Sequence, residues 1–379
     1  MRKIQMVDLK GQYEAIKDQI NTSFEEVISS TAFINGPEVQ NFQKELENYL
    51  NVKHVIPCAN GTDALQVAMM GLGLKPGDEI ITADFTFAAT VEVIALLGLT
   101  PVLVDVDPET FNIDPQKITS AITSKTKAIV PVHLFGQTAD MDAIMKIAED
   151  HNLFVIEDNA QAIGGSFYDA NGKARKTGTI GHIGATSFFP SKNLGCYGDG
   201  GAVFTNDDDL AHQIRGIVNH GMYERYHHDV VGVNSRLDSL QAAVLRAKLP
   251  KLDAYNLARK EAADKYDAAL KDHPEIIIPK REKDKDDAHV FHQYTLRITS
   301  GKRDALVKHF QENQIPCGVY YPIPLHKQKA YADNRYNESD FKITNTLVKE
   351  VISLPMHTEL DDQQIDFITS TLIDFLDKN

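Results

Sequence analysis

Chemistry in this chain can be built from two residues, an acid at the end of an apolar strand and an amine in a glycine-rich loop. The run LFVIED (153–158) leads into EDNAQ and leaves Asp158 at the C-terminal edge of a predicted strand, where parallel sheets bind their ligands. Thirty-four residues later, SFFPSKNLG (187–195) follows another predicted strand and presents Lys192. Upstream, CANGTDAL (58–65) sets small residues before a helix, where free N–H groups and the helix dipole favour a phosphate. Downstream, GVNSRLDSLQAA (232–243) puts Asn234 and Arg236 just ahead of an amphipathic helix. Taken singly, each has an ordinary explanation: an NGT turn caps a helix, a loop lysine is solvated, and Asn234 and Arg236 serve as caps. Together they supply what pyridoxal phosphate needs, namely a phosphate anchor, an anion at its ring nitrogen and an amine for its aldehyde.

These residues require a sheet to carry them. Short β-rich runs alternate with helical stretches: EIIT (79–82) then FAATVEVIALLG, PVLVDV (101–106) then a helix from Pro115, AIVPVHLF then Met141 to Glu149, and LFVIED. The strands are apolar throughout and so are buried on both faces, as in a parallel sheet covered by helices. IGATSFF (183–189) and GAVFT (201–205) read as two more central strands. Near Leu237 the pattern changes to long charged helices, Asp238 to Lys248 and Lys251 to Lys271, followed by Pro274 and the charge run KREKDKDD. A strand at Tyr294 to Ile298, a helix at Lys302 to Asn313, a strand at Gly318 to Tyr321 and two closing helices complete the pattern. The expectation is an α/β chain of two domains: a large, mostly parallel sheet domain with an N-terminal arm over 1–250, and a smaller α+β domain over 251–379.

Composition narrows the function. Among 379 residues, 53 acidic side chains outnumber 39 basic ones for a net charge of −14, a field that repels nucleic acid and anionic membrane. The charge-free stretch Val93 to Val104 is too short, and too interrupted by Gly98 and Pro101, to span a bilayer. Asp8 interrupts the N-terminus before a secretory h-region forms, and Cys58, Cys196 and Cys317 are odd in number and far apart. The expected location is therefore cytoplasmic. No GxGxxG follows a strand, no GxxxxGK[ST], HExxH or CxxC occurs, and the adjacent His227 and His228 lack the spacing of helical metal ligands, so no metal site is expected.

NGTDAL, the aromatic of TFAAT, EDNAQ, SFFPSK with GDGGA, GVNSRLDSLQAA and YYPIPLH stand in one order from Asp8 to Pro355. In that order and content the chain resembles the StrS/DegT family of nucleotide-sugar aminotransferases. The segment RYHHDVVGVNSRLD is most similar to the subgroup that aminates C3 of a UDP-2-acetamido-2-deoxy-3-keto-glucuronic acid. The resemblance implies the type I pyridoxal phosphate fold and a homodimer with shared active sites. It also implies an internal aldimine on Lys192, and Asp158 paired with the pyridine N–H. Gly61 and Thr62 would hold the phosphate through backbone and hydroxyl groups, joined by Ser187 and by Asn234 of the other subunit. Phe87 would stack on the ring, and Gln161 would sit at its other face or its hydroxyl. Asn159, where a small residue is usual, and Asn193, where proline often follows the lysine, depart from the family's pattern.

The implied reaction is two half-transaminations, with L-glutamate leaving as 2-oxoglutarate and a nucleotide keto sugar leaving as an amino sugar for surface glycan biosynthesis, such as lipopolysaccharide O-antigen. Arg236 is the candidate reader of a uronate carboxylate, although the glutamate donor, the diphosphate or Asp238 are equally open to it. Tyr321 and His326 are candidates for sugar or phosphate contacts. Other readings are a UDP-, dTDP- or GDP-linked neutral 3-keto or 4-keto hexose as acceptor, or a non-catalytic cofactor-binding regulator. Family dehydratases carry histidine in place of the lysine, and Lys192 argues against that reading.

Overall fold

The computed structural model describes residues 2–281, 285 and 287–378. Its strands in chain order are β1 (His54–Cys58), β2 (Glu79–Ala83), β3 (Thr100–Val104), β4 (Thr126–Val130), β5 (Phe154–Asp158), β6 (Ser166–Tyr168), β7 (Ala174–Lys176), β8 (Ile183–Ser187), β9 (Gly201–Thr205), β10 (Met222–Glu224), β11 (His227–His228), β12 (Ile276–Ile277), β13 (Tyr294–Ile298) and β14 (Val351–Leu354). A seven-stranded sheet has the order β1-β9-β8-β5-β4-β2-β3. All its pairings are parallel except those of β9, which runs antiparallel to both β1 and β8. The expected α/β architecture is present, with one reversed strand.

Alternation along the strands shows why they are apolar throughout. Val155, Ile129 and Ile81 enter one buried cluster with Met141, Ile144 and Leu347, whereas Ile156, Ala128 and Ile80 enter another with Ala64, Ala68 and Ile214. Successive side chains leave opposite faces, so a sheet covered on both sides demands apolar residues at both phases. The covering helices start where the sequence supplies caps. The side chains of Asn60, Asp114, Asp140 and Asp207 accept from backbone N–H groups in the first turn of the helices that follow them, and Pro115 takes a first-turn place where no N–H is needed.

A second sheet, β12-β13-β14, is antiparallel. The helix Leu252–Leu270 connects the two regions, with Leu252 in a cluster under the large sheet and Ala262, Tyr266 and Leu270 in the cluster around β13 and β14. Ile4 packs into that last cluster as well. The expected strand at Gly318 to Tyr321 does not form; only Gly318 makes a bridge, to Ser353, and the chain then leaves the sheet. Pro322 and Pro324 lack the N–H groups a strand would donate. The partner strand β14 was itself hidden in the apolar run VISL between two helices. Within the charge run at 280–287, Glu282, Lys283, Asp284 and Asp286 lie outside the described residues.

Candidate active site

Strands β1, β2, β4, β5 and β8 all end at one edge of the large sheet, and the segments following them line a cleft of about 840 Å³. Gly61, Thr62, Phe87, Asp158, Gln161, Ser187, Lys192 and Tyr321 are among its lining residues. Eight residues singled out from the sequence are thus brought together. Asn234, Arg236 and His326 are not part of that lining.

One end of the cleft is built to hold an anion. Asn60 caps the helix Gly61–Gly71 and accepts the N–H of Asp63 at 2.8 Å, leaving the N–H groups of Gly61 and Thr62 without helical acceptors. A side chain at position 61 could not be tolerated, because a Cβ there would lie 2.5 Å from the Cβ of Ser187. Glycine therefore lets the helix terminus close onto the end of β8. Ser235 presses on the same turn, its hydroxyl accepting the Ala59 N–H at 3.1 Å.

At the other end, Asp158 is buried and its carboxylate accepts from the Thr90 hydroxyl at 2.8 Å and the Ala160 N–H at 3.1 Å. Burial raises its pKa, opposed by those two hydrogen bonds and by the charge of Lys192. A carboxylate desolvated in this way is stabilised most by a cation placed beside it. Glu157, its neighbour, points to the opposite face and is fully buried. It accepts from the N–H groups of Gly178 at 2.8 Å and of Ile180 and Gly181 at 2.6 Å, and lies 2.8 Å from Nε2 of His133. The His133 Nδ1 accepts the Ala139 N–H at 3.1 Å, which puts the ring proton on Nε2, facing Glu157. These bonds lock the strand end that carries Asp158.

Lys192 comes from the loop after β8, and that loop is tied down on every side. Its own N–H donates to Phe189 at 2.8 Å, and the buried Lys248 ammonium donates to the Gly195 carbonyl at 2.7 Å. Asn193 reaches Asn256 at 2.7 Å and the Val290 carbonyl at 2.9 Å, so the amide at this atypical position anchors the loop to the helix Leu252–Leu270. Asn159, the other atypical residue, is fully buried and its amide has no partner among the described residues; the structure offers no account of it. Burial brings the Lys192 ammonium down to about 8, with the Asp158 charge opposing the shift. A neutral amine is consequently accessible near physiological pH.

Aromatic residues form the wall between these ends. Phe87 is 57% exposed, an open ring available for stacking. The Tyr321 centroid lies 6.0 Å from Phe85, 6.2 Å from Phe87 and 6.4 Å from Phe135. Gln161 donates to the Tyr321 hydroxyl at 3.1 Å and accepts the Phe135 N–H at 2.7 Å, so its amide braces the wall. Outside the lining, Asn234 is exposed, while Arg236 is half-buried with its Nε enclosed and unpartnered among the described residues. His326 is held by Asp84.

Sequence reasoning passed over Thr90, Glu157, His133, Asp84 and Lys248. A glutamate inside an apolar strand was a usable signal, since such a group is buried only with partners. The others reach the site through tertiary packing. The donor-rich helix terminus, the open Phe87 ring, the desolvated Asp158 and the accessible Lys192 amine fit pyridoxal phosphate at its phosphate, ring face, ring nitrogen and aldehyde respectively.

Comparison with known proteins agrees. A sequence model of the DegT/DnrJ/EryC1/StrS aminotransferase family matches residues 14–373. The chain is 45% identical over 369 residues to a UDP-2-acetamido-2-deoxy-3-oxo-D-glucuronate aminotransferase of Pseudomonas aeruginosa, covering 97% of this chain and 99% of the relative. It is also 45% identical over 373 residues to a pleiotropic regulatory protein of Geobacillus stearothermophilus, with 98% of each covered. Among solved structures, that of Bacillus subtilis NtdA with bound cofactor PMP superposes with a TM-score of 0.87 at 31% identity, covering 95% of this chain and 82% of that one. The fold is that of type I pyridoxal phosphate enzymes, and pyridoxal phosphate is the cofactor.

Proposed function

Because the chain belongs to the DegT/DnrJ/EryC1/StrS aminotransferase family, whose members include aminotransferases of nucleotide sugars, we propose that it moves the amino group of L-glutamate to C3 of a UDP-2-acetamido-2-deoxy-3-keto-hexuronic acid. Bound in the cleft, pyridoxal phosphate carries the amino group and supplies the electron sink. Lys192 holds the cofactor and, when released, takes the proton from Cα of the donor; an amine brought to about 8 by burial suits that task. Asp158 keeps a proton on the ring nitrogen, and Thr90 and Ala160 keep its carboxylate aimed there. Gly61, Thr62 and Ser187 fix the phosphate, and Phe87 holds the ring plane.

The observation that carries the choice of acceptor is Arg236. Ser235 faces its own chain at Ala59, so on an extended segment Asn234 and Arg236 project the other way, toward where a second subunit's cleft would be completed. A half-buried guanidinium with an unpartnered Nε and no acid on it among the described residues is suited to a carboxylate brought by a ligand. The uronate carboxylate is that ligand group in this reading, and the name of the P. aeruginosa relative supports it. Arg236→Ala should raise KM about tenfold or more for the UDP-3-keto-hexuronic acid and much less for the neutral 3-keto hexose, with the glutamate half-reaction nearly unchanged. Equal losses on both sugars, or a loss confined to glutamate, would refute the assignment.

The regulatory name of the Geobacillus relative raises a second reading, cofactor binding without turnover. Adding glutamate to the holo-protein separates the two. An enzyme loses the visible absorbance of the aldehyde form, and a regulator keeps it.

A further inference from the structure

The segment Tyr320–His326 forms part of the cleft wall without belonging to any sheet. What fixes it is Asp84, a fully buried carboxylate one residue beyond β2. One Asp84 oxygen accepts the backbone N–H of His326 at 2.7 Å, and the other lies 2.7 Å from His326 Nδ1. The Asp84 carbonyl accepts the Leu325 N–H at 3.2 Å. Behind this staple the His326 ring lies flat on Phe341, with centroids 4.3 Å apart and planes 12° from parallel, and Leu325 packs with Val91, Leu103 and Phe341.

In front of it, the same two segments carry the aromatic wall. Phe85 and Phe87 follow Asp84, Tyr321 precedes His326, and the three rings meet. Burying an acid is costly, and here burial lifts the Asp84 carboxyl to about 6 even with the His326 bonds pulling it back. An acid kept in such a place without lining the cleft has work to do through its neighbour. His326, for its part, has an Nε2 that is enclosed and unpartnered among the described residues, so the atom a direct sugar contact would need is shut off.

We propose that Asp84 and His326 are a positioning pair that clamps the 320–326 loop to the end of β2 and so sets Tyr321 and Phe87 against the cofactor, His326 acting through Asp84 without touching substrate. The proposal rests on reading the cleft as the cofactor site and is independent of which sugar is used.

The test uses the full chain, with pyridoxal phosphate as the probe and no sugar present. Its readouts are the dissociation constant of the cofactor and its visible circular dichroism, which reports the asymmetry of the wall around it. Asp84→Ala and His326→Ala should each weaken binding about tenfold and alter the visible band, and the double variant should lose no more than the worse single one. His326→Asn keeps a donor at the Nδ1 position and should restore both readouts, whereas His326→Gln, whose amide reaches the Nε2 position, should not. Both replacements forfeit the stacking on Phe341, so a general loss of packing cancels between them. Losses that multiply in the double variant, single variants within twofold of the parent, or better rescue by Gln than by Asn would each overturn the proposal. Because no sugar enters, a different acceptor sugar would leave these readouts unmoved.

Discussion

An amine must be neutral to attack an aldehyde, and the surroundings of Lys192 decide when its own would be. Burial lowers its pKa to about 8 and the Asp158 carboxylate opposes that shift. The rate at which cofactor-free protein captures added pyridoxal phosphate should therefore rise with pH and level off above about 8, where an unperturbed lysine would go on rising toward about 10.4. Asp158→Asn removes the opposing anion, so its levelling should move below that of the parent. Stopped-flow absorbance at a series of pH values checks both, and an upward movement in the variant would contradict the electrostatics. Asp158 was legible in the sequence because a polar residue ending an apolar strand needs a reason, and Lys192 because it stands in the glycine-rich loop that follows the next strand. Thr90 and Asp84 were not, since the contacts that define them are made to residues 68 and 242 positions away. The bracing role of Gln161 was also invisible, because it depends on where the Tyr321 loop comes to rest.

Strand β5 ends in two acids that do different work because they leave opposite faces. Asp158 faces the cleft, whereas Glu157 gathers three backbone N–H groups and His133. Glu157→Gln would set an amide N–H against those donors and should cost about 2–3 kcal/mol of stability. Its measurement is the denaturant midpoint of the cofactor-free protein, and the expected companion effect is weaker pyridoxal phosphate binding through the displaced strand end. An unchanged midpoint would mean that this network does not hold the strand. The alternation of apolar strands and helices placed β2, β3, β4, β5, β8 and β9 correctly, because a doubly covered sheet imposes apolar residues at both phases, and β13 of the second sheet was placed as well. The pattern failed where topology overrides it. β9 runs against its neighbours with the same composition as they have, and the Tyr321 segment carries strand-like residues but prolines that forbid the ladder.

Over the whole molecule, the cleft of one chain holds the anion cradle, the acid, the amine and the aromatic wall, while Asn234 and Arg236 lie outside its lining. Nearby, the hairpin β10-β11 and the segment after it expose Tyr226 at 75% and Val231 at 85%, and Phe33 and Ile34 are also exposed. Apolar surface of this kind is what a subunit interface covers. The proposed assembly is accordingly a dimer in which each copy offers Asn234 and Arg236 to the other's cleft. No described helix is long and apolar enough to cross a membrane. Delivery of the amino group carried in this cleft to a nucleotide keto sugar can be observed in a single half-reaction. The holo-protein is converted to its amine form with glutamate, freed of small molecules and mixed with UDP-, dTDP- and GDP-linked keto sugars while the absorbance of the aldehyde form is followed. The band should return, fastest with the UDP-linked 3-keto-hexuronic acid; a band that returns with none of the nucleotide keto sugars would show that the amino group is not delivered to this class of acceptor.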